Sequence, residues 1–175
     1  MEKGGNRRWW WHNDDYIEVN EAAKKAREDN RISGGLTERT FCRMIIVVGM
    51  ARIEHGVDYY LIDILKCITK KQRKNRSMEE LLEMVWQKSS LKYIDDKSEY
   101  DKICKRIIAF KTIRNIIQHS DESGLTESEK RKILSGGLSL YLRDYTWDTY
   151  DLIKNSFDKM LWFIESNSAI KGGSY

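Results

Sequence analysis

Ile103-Cys104-Lys105-Arg106-Ile107-Ile108-Ala109-Phe110-Lys111-Thr112-Ile113-Arg114-Asn115-Ile116-Ile117-Gln118-His119 is the stretch on which the reading of the fold turns. Its apolar residues Ile103, Ile107, Phe110, Ile113 and Ile117 recur at steps of four, three, three and four. That rhythm lays one continuous stripe along a helix, the pattern of a helix with one face in a core. Asp95 or Asp96 offers a start for it. The same helix ends on three chemically distinct side chains: the guanidinium of Arg114, the amide of Asn115 and the imidazole of His119.

The rest of the chain repeats the helical pattern. Asn13-Asp14-Asp15 is placed to cap a first helix running to about Asn30, and Arg31-Ile32-Ser33-Gly34-Gly35 reads as a turn. Thr37 is a suitable N-cap for a second helix carrying Phe41, Met44, Ile45, Val48 and Ile53, in which Gly49 and Gly56 are the candidate points for a kink or interruption. An apolar pattern resumes at Tyr59 and ends in the basic run Lys66–Arg76. Ser77-Met78-Glu79-Glu80 and Thr126-Glu127-Ser128-Glu129 both have the Ser/Thr-x-x-Glu form of a capping box. Asp148 or Thr149 leads into a final helix with Leu152, Ile153, Phe157, Met160, Leu161 and Ile164 on its apolar side. No segment alternates with a period of two, and there is no proline to break a helix. The expectation is an all-α bundle of five or six helices. It forms a single domain over residues 1–170, with an Arg/Trp arm at 1–13 and a frayed tail at 171–175.

Composition narrows the functional classes. The 175 residues carry a net charge of +4, too mild to establish nucleic-acid binding on its own. The distribution is more telling, because Lys66, Lys70, Lys71, Arg73, Lys74 and Arg76 occur in eleven residues without an acid. Cys42, Cys67 and Cys104 stand apart from one another inside apolar runs, so they read as reduced core thiols rather than zinc ligands. Reduced thiols fit a cytoplasmic protein. No apolar run approaches the roughly 20 residues of a membrane span, and no secretory leader is legible at the N-terminus. No metal or cofactor is expected.

An arginine is permanently charged and shaped to hold phosphate oxygens. A histidine is the commonest general acid or base. Arg114, Asn115 and His119 resemble the arginine–polar–x3–histidine motif of the HEPN superfamily, many of whose members are RNA endonucleases. Arg7 and His12 repeat the spacing but lack both the polar residue after the arginine and the apolar helix before it. On a straight helix Arg114 and His119 are about 140° apart. The resemblance implies a resolution in which two motif helices meet in a homodimer and build one composite cleft. It further implies metal-independent cleavage of RNA. His119 would take the 2′-hydroxyl proton, Arg114 would stabilise the phosphorane, and Asn115 would orient the histidine or the phosphate. The products would be a 2′,3′-cyclic phosphate and a 5′-hydroxyl, and the biology that of a toxin or antiviral effector with an antitoxin or nucleotidyltransferase partner. Some HEPN toxins carry a tyrosine two residues after the histidine, where this chain has Asp121.

Lys70, Lys71, Arg73, Lys74, Arg76 and Lys111 are the candidate RNA-binding cations; an interhelical loop is the plainer reading of the run. Arg7 to Trp11 combines cations with rings that stack on bases or pin an arm. Two other readings stand beside the ribonuclease: a non-catalytic helical interaction module, and a regulatory domain that binds a nucleotide without cleaving it.

Overall fold

A computed structural model describes residues 7–29, 36–90, 97–119 and 124–172, with the backbone alone for 7–13, 36, 119 and 172. Among these residues there are seven α-helices and no strand. They are α1 (Arg7–Glu28), α2 (Leu36–Asp58), α3 (Lys70–Lys74), α4 (Met78–Lys88), α5 (Lys97–His119), α6 (Glu127–Ser135) and α7 (Trp147–Gly172). None is long and apolar enough to cross a membrane.

Helix α2 is the spine. It packs on α1, α4, α5 and α7, and α5 in turn packs on α4, α6 and α7. The core they enclose includes Ile45, Ile46, Met50, Ile53, Tyr100, Ile107, Phe110, Phe157 and Phe163, all fully buried. The stripe expected on α5 faces this core, with Ile103, Ile107, Phe110 and Ile113 buried and Ile117 partly so.

Both expected capping boxes are present. Ser77 Oγ accepts from the Glu80 N–H while Glu80 accepts from the Ser77 N–H, and Thr126 and Glu129 make the same exchange. A third box, Thr69 with Gln72, starts the five-residue α3 inside the basic run, which is therefore not simply a loop. This short helix takes the count past the five or six expected.

Two further expectations change. Helix α1 begins at Arg7, so the stretch read as an arm through residue 13 is helical from there. Helix α2 runs unbroken through Gly49 and Gly56. Gly49 lies beneath the Phe157 ring, where a Cβ would meet Cε2 at 2.4 Å. It is thus a site of close helix approach rather than a break. After Asp58 the chain widens into a π-helical segment, Tyr59–Ile64, which buries the consecutive residues Tyr60 and Leu61.

Two residues past the end of that segment, Lys66 has a left-handed φ of 50°. The Cys67 N–H then donates back to Leu61 O at 3.0 Å. A left-handed conformation costs a non-glycine residue roughly 1 kcal/mol or more. Lys66→Gly is therefore expected to raise stability by up to about 1 kcal/mol in chemical denaturation; a fall in stability would contradict the assignment of strain here.

Cys67 is exposed, against the expectation of three core thiols, while Cys42 is buried and Cys104 half-buried. Burial pushes the thiols of Cys42 and Cys104 up to about 12, which leaves neither as a nucleophile near neutral pH.

Candidate active site at the end of α5

Arg114 projects from the last turns of α5 back towards α2. Its Nη1 donates to Glu54 Oε2 at 2.6 Å, with the arginine side chain 15% and the glutamate 25% exposed. The neighbouring Asn115 is exposed, and its Oδ1 lies 3.5 Å from Arg114 Nη2. Arg114 Nε is buried and has no hydrogen-bond partner among the described residues. His119 is the last helical residue of α5, one turn beyond Asn115. Its side chain, and Asp121 altogether, lie outside the described residues.

The second feature of this end of the molecule is the seating of α3. Arg73 Nε donates to Asp58 Oδ1 at 2.6 Å. Glu54 and Asp58 are four residues apart on α2, so their side chains are neighbours on one face, about 5–6 Å apart at Cβ. One stripe of α2 thus receives Arg114 from α5 and Arg73 from α3. The basic run and the motif arginine, remote from each other in the chain, converge on adjacent turns of the same helix.

The candidate cations separate accordingly. Lys70, Lys71 and Lys74 are exposed, whereas Arg73 is engaged with Asp58 and Arg76 is half-buried. Lys111 is half-buried and near enough to Glu79 of α4 to act on its charge. Burial raises the Glu79 carboxyl, but its own backbone N–H, Lys132 and Lys111 together bring it below the usual range. Lys111 therefore belongs electrostatically to the α4–α6 side of α5. The Trp9–Trp11 side chains are outside the described residues.

Glu54 and Asp58 do not stand out in the sequence as site residues, yet a signal exists. Two acids four residues apart share one face of a helix, and such a pair can receive cations from neighbouring elements. Among the described residues, no group of three His, Cys, Asp or Glu is arranged to hold a metal ion. A surface depression of about 480 Å³ between α1 and α7, lined by residues including Asn20, Arg27 and Tyr150, contains none of the candidates. Neither family models, nor curated proteins, nor solved structures yield a match to this chain.

Proposed function

We propose that the chain is a metal-independent endoribonuclease of the HEPN type, acting as a homodimer joined through α5. The observation that carries the reading is Arg114. A mostly buried guanidinium is fixed at the end of α5 beside an exposed amide, one turn along α2 from the ion pair that seats the lysine-bearing α3. A phosphate bound there would meet permanent charge, and the exposed Lys70, Lys71 and Lys74 would gather the flanking backbone.

In the proposed reaction His119 takes the proton of the RNA 2′-hydroxyl. The freed oxygen attacks phosphorus, and the bond to the 5′-oxygen breaks as a second acidic group returns a proton to it. Arg114 stabilises the charge that builds on the phosphorane, a role of the oxyanion-hole kind. A composite cleft from two protomers supplies that second group. Biologically the reading is a toxin or defence effector acting in the cytoplasm, with an antitoxin or nucleotidyltransferase as its regulator.

The Glu54–Arg114 pair also favours one other reading. In a non-catalytic helical module, Arg114 would simply tie α5 to α2. Incubating the purified protein with total RNA in excess EDTA separates the two. Cleavage by the wild type that disappears in Arg114→Lys supports the ribonuclease, since a point charge does not reproduce the planar fork. Intact RNA favours the module.

The lysines of α3 carry a prediction of their own. Neutralising Lys70, Lys71 and Lys74 together, with Arg73 left to hold Asp58, is expected to weaken single-stranded RNA binding. The log–log salt slope should flatten by about 0.7 for each phosphate that is no longer neutralised. An unchanged slope would remove α3 from the binding surface.

A further inference from the structure

Ile68 and Met78 are both buried in the core, and none of residues 69–77 between them is. Helix α3 occupies the middle of that span and buries no side chain. Its capping box and turn hydrogen bonds run from Thr69 to Arg76 and stay within it. Among the described residues, one hydrogen bond ties 69–76 to another element: Arg73 Nε to Asp58 Oδ1 of α2, at 2.6 Å. The two side chains are 20% and 37% exposed, so water and ions reach the pair. Arg76 adds a looser link, being near enough to Glu80 of α4 to act on its charge.

On its own α3 is a poor helix. Five residues are far below the length at which an isolated helix holds in water. Lys70 stands three residues from Arg73 and four from Lys74, and Lys71 three from Lys74, spacings at which like charges oppose the helix. The first turn holds no acid to meet the helix dipole. Two sources of negative charge relieve this. Asp58 is one, through Arg73; an anionic chain lying across the exposed Lys70, Lys71 and Lys74 is the other.

We propose that α3 is a hinged flap, pinned at Ile68 and Met78, latched to α2 by the Arg73–Asp58 pair and drawn shut by polyanions. It opens without disturbing the core, because no core side chain moves with it. By linkage, a polyanion that prefers the helical, seated flap also stabilises that state. That the natural polyanion is RNA rests on the ribonuclease reading; the latch itself does not.

The test is amide hydrogen exchange of the full chain labelled with ¹⁵N, which reads local opening residue by residue. The reporters are the N–H groups of Arg73, Asn75 and Arg76, bonded within the span, against those of α2 and α4. Asp58→Asn and Arg73→Gln are each expected to lower protection of the reporters about fivefold, the scale of a good partly exposed ion pair. Their combination should lose no more than either alone, with α2 and α4 unchanged throughout. Inorganic polyphosphate, against chloride at equal ionic strength, is expected to raise reporter protection in the wild type and in Asp58→Asn. Replacing Lys70, Lys71 and Lys74 by Gln should raise it without polyphosphate and abolish the response. Reporters indifferent to both single variants overturn the latch. So does a loss of protection across α2 and α4, or of the fold, in both, since the pair would then be a tie of the core. Reporters indifferent to polyphosphate overturn the closing by polyanions. If the flap behaves as described but RNA is not cleaved, the ribonuclease reading fails and the latch stands.

Discussion

His119→Ala is expected to lower RNA cleavage by a factor of about 10²–10⁴ while leaving the helical fold in place, because removing a positioned acid–base group typically costs that much. The other nucleophilic or basic groups near the core are poorly suited to replace it. The thiols of Cys42 and Cys104 are pushed up by burial, and Glu54 is engaged with Arg114. His119 is the last residue of α5, nearly two turns past Ile113, the last buried apolar residue of that helix. Circular dichroism and thermal melting of the variant should therefore overlay the wild type. A folded His119→Ala protein that cleaves RNA at the wild-type rate would remove His119 from the mechanism.

Phe157→Ala is expected to produce the largest fall in stability, about 3–5 kcal/mol. In a chain of this size that corresponds to roughly 6–20 °C in melting temperature. Phe157 is fully buried at the crossing of α2, α5 and α7. Its ring lies 5.0 Å from that of Phe110 and meets Tyr16 edge-on at 6.3 Å. Gly49 gives the matching half of the contact. Gly49→Ala alone should destabilise, because its new Cβ would fall 2.4 Å from the ring. In the Phe157→Ala background the same change should be neutral or mildly stabilising, since alanine is the better helix former by about 1 kcal/mol. Denaturant titration of the four proteins gives the coupling directly. Purely additive effects would mean that the two positions do not touch.

These two positions also illustrate what a sequence yields and what it withholds. The stripe on α5 and the boxes at Ser77 and Thr126 are local patterns, complete within a few turns, and they appear in the fold as read. Gly49 reads as a possible break because glycine is a poor helix former. Its role depends on Phe157, which is remote in the chain and invisible to a local window. The π-helical segment after Asp58 is hidden for a related reason: a change of helical period is driven by what must be buried around Tyr60 and Leu61, not by the residue types alone. Helix α1 starts earlier than its sequence suggests, because Arg7 to Trp11 resembles an arm more than a helix start.

The candidate site divides in the same way. Arg114, Asn115 and His119 lie close together in sequence and so stand out as a group. Glu54 and Asp58, which decide where Arg114 and Arg73 point, come from another helix and do not. The basic run is visible as charge. Which of its members are engaged is not, because Arg73 differs from Lys70, Lys71 and Lys74 in having Asp58 within reach.

The central claim is tested most directly by the ends left on cleaved RNA. A labelled single-stranded RNA and its DNA counterpart are incubated with the purified protein in excess EDTA, and the product termini are analysed. Cleavage of the RNA alone, leaving a 2′,3′-cyclic phosphate and a 5′-hydroxyl, is the predicted result, since the DNA lacks the attacking hydroxyl. RNA that stays intact, products bearing a 5′-phosphate, or equal cleavage of the DNA would contradict the account.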